Sequence, residues 1–141
     1  MVEPRFRMQI ESLVFKDGRA RALNNALSPA DRDAFNAYLA AVIAVLLAPR
    51  FPKGCGPDEA AGFSEEVAAA HRAEQRPVNA FVIEEVLRTI YGLPSIFGSV
   101  PVRANSVSTA GAAVLRYLNN TDAAVAAGIQ ATLDAAETLI D

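Results

Sequence analysis

The strongest hydrophobic pattern in the chain runs from residue 28 to residue 48. It opens with "SPAD", which places Ser28 at an N-cap, Pro29 at the first helical position and Asp31 where it can complete a capping box. The large apolar side chains that follow recur at helical spacing: Phe35, Leu39, Val42, Ile43 and Leu46. A second stripe on the same helix contains only alanines: Ala37, Ala41, Ala44 and Ala48. A helix with one bulky and one smooth apolar face is predicted to be contacted on both sides, so this is the predicted central helix.

Capping residues and helix breakers predict four further helices after the "APRFPKGCGP" break. Their predicted N-caps are Ser64, Asn79, either Ser106 or Ser108, and Thr121. Pro77 ends the first of them, and Gly92 with Pro94 after it ends the second. We expect the last two helices, at 105–118 and 122–140, to form an antiparallel hairpin.

The N-terminal segment, residues 4–23, fits two structures. Four apolar residues lie on one helical face: Phe6, Ile10, Leu13 and Val14. A similar set alternates as in a strand, and "KDGR" is typical of a hairpin turn. The helix is favoured because the rest of the chain is helical, and a short β-hairpin is the alternative. The expected fold is therefore all-α, a bundle of five or six helices that forms a single helical domain over residues 1–141.

Composition supports this fold and indicates the compartment. Alanine, the best helix former, supplies 28 of the 141 residues, and 52% of the chain is hydrophobic. The single cysteine cannot form an internal disulfide, and the N-terminal residues have interleaved charges with no signal-peptide pattern, so a cytoplasmic location is expected. The most apolar run, residues 37–48, is too short to span a bilayer.

The chain has one cysteine, Cys55, and one histidine, His71, and these are the candidate catalytic pair. Cys55 stands in the glycine- and proline-rich "FPKGCGPDE", where a nearby helix start or imidazolium would lower the pKa of a reactive thiol. The pair matches no local catalytic signature, so the favoured interpretation is two unrelated residues. His71 and Glu74 give an H-x-x-E spacing, but one histidine makes a di-metal site a poor fit, and no metal or cofactor is predicted.

A nucleic-acid partner is not favoured. Residues 64–75 and 79–91 have helix-turn-helix spacing. The second helix, however, carries Glu84 and Glu85, and DNA would repel these negative charges on a recognition helix. Four N-terminal arginines could form a basic arm: Arg5, Arg7, Arg19 and Arg21. Three nearby acidic residues dilute that charge, so DNA regulation is retained only as a second alternative.

The apolar surface exceeds what a small monomer needs to bury. Its two sources are the alanine face of the central helix and the loop at 93–102. We therefore expect a non-catalytic, self-associating interaction domain, in the form of a homodimer. The alternative is a small-molecule-binding protein or small enzyme whose site lies near Cys55, His71 and the loop, with three candidate ligand-binding residues: Phe97, Val100 and Val102. The residues expected in the core are Phe35, Leu39, Val42, Ile43, Leu46, Val86, Val114 and Leu118.

Overall fold

The computed structural model describes residues 2–141, which form eight helices and no strand. The helices are α1 (Pro4–Phe15), α2 (Ala20–Asn25), α3 (Pro29–Leu47), α4 (Pro57–Ala73), α5 (Ala80–Tyr91), α6 (Ala104–Thr121), α7 (Ala124–Ala127) and α8 (Ile129–Ile140). The all-α prediction is confirmed, whereas the predicted count of five or six is too low. The N-terminal β-hairpin alternative is wrong, because α1 and α2 occupy that segment.

The corner between α1 and α2 shows how "KDGR" can join two helices. Lys16 takes the left-handed conformation with φ 56°, and Gly18 has φ 86°. The Asp17 carboxylate accepts hydrogen bonds from the Ser12 hydroxyl at 2.5 Å and from the Arg19 backbone N–H at 3.2 Å. These bonds turn the chain back so that α2 packs beside α1.

α3 is the central helix, as predicted. Ser28 accepts a hydrogen bond from the Asp31 backbone N–H and Asp31 accepts one from Ser28, which confirms the capping box. α3 packs against α6 on one side and α8 on another, with further contacts to α1 and α5. The predicted hairpin contact between α6 and α8 is therefore not the main contact of either helix, because both pack chiefly against α3.

Several predicted helix ends need correction. α4 begins at Pro57, where the Gly56 N–H donates to the Glu59 carboxylate at 3.1 Å, and Ser64 lies inside the helix. α6 begins at Ala104 with Arg103 at its N-cap, so Ser106 and Ser108 are both internal and neither is a cap. α6 continues through Thr121, and a short α7 intervenes before α8. Asn79 and Gly92 are the observed caps of α5, as expected.

The core is one hydrophobic cluster that receives side chains from α1 and from α3 to α8. The residues expected in the core are buried except Leu46, which is half-buried. No helix within residues 2–141 is long and apolar enough to cross a membrane.

Candidate functional site

A large cleft lies between α1, α2, α3 and α6 and is called here the central cleft. Its volume is about 700 Å³. Its polar lining consists of Gln9, Arg21, Asn24, Asn25, Arg32, Asn105, Ser108, Thr109 and Arg116, with no carboxylate among the described residues. Three arginines, none of which forms an ion pair within residues 2–141, make this lining positive, although the whole chain has a net charge of −3.

Arg32 holds the helices around the cleft together. Its guanidinium donates to the Asn24 side-chain oxygen at 2.8 Å and to the Asn24 backbone carbonyl at 2.9 Å, which attaches α2 to α3. It also donates to the Ser108 hydroxyl of α6 at 3.1 Å. All of these acceptors are neutral, so the hydrogen bonds satisfy the N–H groups without neutralising the charge.

Arg116 is half-buried on α6 and makes no hydrogen bond or ion pair with any residue in 2–141. Burial lowers the pKa of Arg116, and the charge of Arg76 lowers this pKa further, while Glu74 acts in the opposite direction. A guanidinium remains charged at neutral pH even so. Arg116 is therefore a cation that has lost part of its hydration without gaining a protein partner.

Gln9 lies at the inner wall of the cleft on α1. It is 4% exposed, and its amide N–H donates to Asn24 at 3.4 Å. Its buried side-chain oxygen accepts no hydrogen bond from the residues of the described chain. Such a group is uncommon in a protein interior, because an unsatisfied buried amide costs stability.

Within residues 2–141, the arginines fall into two groups. Six form ion pairs with acidic side chains: Arg5, Arg7, Arg19, Arg50, Arg72 and Arg88. Five do not: Arg21, Arg32, Arg76, Arg103 and Arg116. All five line the central cleft or the clefts that adjoin it at either end. The arginines without an ion pair are therefore grouped around these adjoining clefts.

The structure does not bring Cys55 and His71 together. Cys55 precedes the first residue of α4, whereas His71 lies fourteen residues beyond that start, or about 21 Å along the helix at 1.5 Å per residue. Burial raises the pKa of the Cys55 thiol, and the charge of Glu59 raises it further. His71 is buried, and its Nε2 lies 2.9 Å from the Ala113 carbonyl oxygen. Each residue occupies its own packed environment.

The other predicted site residues lie away from the central cleft. Phe97 and Val102 are partly buried against the core, and Val100 is exposed on the loop after α5. Around His71 and Glu74, and elsewhere in residues 2–141, no three or more His, Cys, Asp or Glu side chains are grouped for a metal. Of the proposed basic arm, Arg5, Arg7 and Arg19 are ion-paired, and only Arg21 reaches the cleft.

Sequence reasoning missed the arginines at the two ends of the central cleft, Arg32 and Arg116. A signal was present: neither has an acidic residue three or four positions away, so neither can form an ion pair along its own helix. Arg116 also interrupts the apolar run "AAVLRYL". Arg50 also lacks an acidic residue at these spacings and is nonetheless paired with Glu66, so this signal alone does not identify an unneutralised arginine.

The fold and the cleft together define an all-helical protein with an unneutralised, arginine-lined cavity. The chain matches no protein-family model, and comparisons with curated proteins and with solved structures also give no match.

Proposed function

We propose that this protein binds a small anionic ligand in the central cleft and does so without catalysing a reaction. The observation that carries the proposal is the half-buried Arg116, which has no partner and which faces a cavity with no carboxylate in its described lining. A phosphate or carboxylate placed there would provide the missing counter-charge. It would also accept two parallel hydrogen bonds from a guanidinium.

The size and composition of the cleft agree with a small ligand. A volume of about 700 Å³ falls within the range of about 300 to 1,000 Å³ that is typical of small-molecule sites. Leu13, Phe35 and Val78 supply apolar surface, and the amides and arginines supply directional polar contacts. Acid–base catalysis most often uses imidazole or carboxylate groups, and the described lining offers arginines, amides and hydroxyls in their place.

The test is thermal unfolding with orthophosphate, pyrophosphate and citrate, each at an ionic strength held constant with sodium chloride. A ligand that binds the folded state at a hundred times its Kd stabilises it by about 2.7 kcal/mol, which raises the melting temperature. We expect Arg116→Gln to weaken binding at least tenfold. Arg72→Gln is the matched control, because Arg72 lies on exposed surface in an ion pair with Glu65. The proposal fails if none of the three anions binds, or if Arg116→Gln binds them as tightly as the wild type.

Self-association is the second candidate function, supported by exposed apolar side chains around α5. Phe81 is 66% exposed and Val100 64%. The Ile96 N–H donates to the Glu85 carboxylate at 3.1 Å, and Glu85 lies one helical turn after Phe81. Phe81 and Ile96 therefore lie on the same side of α5, where a second copy of the chain could cover them.

Light scattering over a concentration series tests this second candidate. We expect a dimer whose dissociation constant rises at least tenfold in Phe81→Ser, while Leu139→Ser, an exposed apolar residue on α8, leaves it unchanged. A protein that remains monomeric at every concentration contradicts self-association and leaves the anion-binding proposal unaffected.

A further inference from the structure

Among the smaller clefts that adjoin the central cleft, two are lined by arginines, one at each end. The first, of about 490 Å³, shares Leu13 and Arg116 with it and adds Lys16 and Arg76. The second, of about 450 Å³, shares Arg32 and Asn105 and adds Arg103. Each outer cleft includes one acidic residue, Glu74 in the first and Asp33 in the second, so cations outnumber acids at both ends.

The two basic ends are separated along α6. Arg32 contacts the Ser108 hydroxyl, so its guanidinium lies at the level of that residue. Arg116 lies eight residues later, which corresponds to about 12 Å along the helix axis. One phosphate group cannot fill that distance, so a single anionic group would contact one end only.

Neutral hydrogen-bonding groups also line the central cleft, beside its arginines. Asn25 and Asn105 both line the central cleft, and neither side-chain amide makes a hydrogen bond within residues 2–141. The unpartnered oxygen of Gln9 lies in the same wall. An amide both donates and accepts, so these groups suit hydroxyls or the edge of a heterocycle and offer no charge.

We propose that the ligand is a bisphosphate in which a neutral polar unit, such as a sugar or nucleoside, carries one phosphate at each end. This inference depends on the proposed anion-binding function and specifies its ligand class. One phosphate contacts Arg116 with Arg76, and the other contacts Arg32 with Arg103. The neutral unit that joins them contacts the amide groups of the central cleft.

Matched ligands that differ by one phosphate test the inference. Titration calorimetry compares fructose 1,6-bisphosphate with fructose 6-phosphate, and adenosine 3′,5′-bisphosphate with adenosine 5′-monophosphate. In at least one of these pairs we expect the bisphosphate to bind ten times more tightly or better. Arg116→Gln and the exposed Arg103→Gln each remove one of the two arginines at one end, so each should reduce this advantage to about twofold or less. Arg72→Gln should leave the advantage intact.

The outcomes separate this inference from the function on which it depends. Equal affinity for both members of both pairs, with loss of binding in Arg116→Gln, overturns the bisphosphate inference and supports simple anion binding. Binding of pyrophosphate without binding of any of the four organic phosphates leads to the same conclusion. An advantage that survives Arg103→Gln also overturns the two-ended arrangement. Failure of every anion overturns both proposals.

Discussion

Gly111 of α6 lies so close to Leu39 of α3 that a β-carbon at position 111 would be 2.6 Å from Leu39 Cδ2. The same β-carbon would be 3.1 Å from Leu39 Cγ. The absence of a side chain at this position therefore allows the close packing of α3 and α6, the two helices that carry Arg32 and Arg116.

Gly111→Ala is expected to destabilise the fold. Leu39 is buried, so its side chain can move only by displacing its neighbours, and overpacking of this kind typically costs about 1 to 3 kcal/mol. Better helix propensity offsets up to about 1 kcal/mol of that cost. Urea unfolding of the two proteins measures the difference.

Gly62→Ala is the matched control for this prediction. Gly62 is also inside a helix, α4, and a β-carbon there would meet nothing within 4 Å. The same substitution should therefore stabilise the fold by about 0.5 to 1 kcal/mol. If Gly111→Ala were as stable as Gly62→Ala, the close contact with Leu39 would not constrain the packing.

Local sequence signals predicted some helix ends well and others poorly. They were reliable at Asn79, whose side chain accepts from the Phe81 N–H at 2.9 Å. They failed at Ser64 and Thr121, where the hydroxyl instead donates to a carbonyl four residues earlier within the helix. A serine or threonine side chain can make either bond, and tertiary packing decides which one forms.

The candidate site was beyond the reach of sequence reasoning for a different reason. Whether an arginine is neutralised depends on distant contacts, as in the 2.8 Å ion pair between Arg7 and Asp134. The central cleft likewise joins Gln9 of α1 to Arg116 of α6, and no spacing in the sequence encodes that proximity. The cysteine and histidine attracted attention because they are rare, but rarity carries no information on position in space.

Tyr38→Phe is expected to leave stability unchanged or to raise it by up to about 1 kcal/mol. The Tyr38 hydroxyl is fully buried and has no hydrogen-bond partner among the described residues, so removing it removes a desolvation cost. Burial raises the pKa of Tyr38 above its ordinary value, and the charge of Glu137 adds to this effect. The measurement is thermal and urea unfolding of the variant.

Tyr117→Phe provides the comparison for Tyr38→Phe. The Tyr117 hydroxyl donates to the Glu66 carboxylate at 2.5 Å, and loss of a hydrogen bond to a charged group costs about 1.5 to 3 kcal/mol. The two tyrosines should therefore respond in opposite directions or by clearly different amounts. A large loss of stability in Tyr38→Phe would show that its hydroxyl has a partner after all.

Glu66 should make part of the stability dependent on pH. Burial acts to raise the pKa of Glu66, but hydrogen bonds from Tyr117 and Arg50 outweigh it and hold this pKa below its ordinary value. Because the folded pKa is the lower one, the stabilisation is fully present above the unfolded pKa of about 4.3. It is lost as the pH falls through the folded value.

Glu66→Gln tests this pH dependence by urea unfolding at about pH 7 and about pH 3. The ion pair between Glu66 and Arg50 is partly exposed, so we expect Glu66→Gln to be less stable than the wild type at neutral pH by about 1 kcal/mol or less. The difference should shrink at the acidic pH, where Glu66 of the wild type is also becoming neutral. A difference that stays constant between the two pH values would show that packing, and not charge, is responsible.

Cys55 should react slowly with iodoacetamide in the folded protein. Burial and the charge of Glu59 both raise the pKa of its thiol, so little reactive thiolate forms near pH 8 and access is also restricted. The rate should lie below that of free cysteine and approach it in urea. Glu59→Gln removes the charge, so it should speed the folded-state reaction modestly without changing the rate in urea. Folded protein that reacts faster than free cysteine would instead indicate an activated thiol and return Cys55 to the candidates for catalysis.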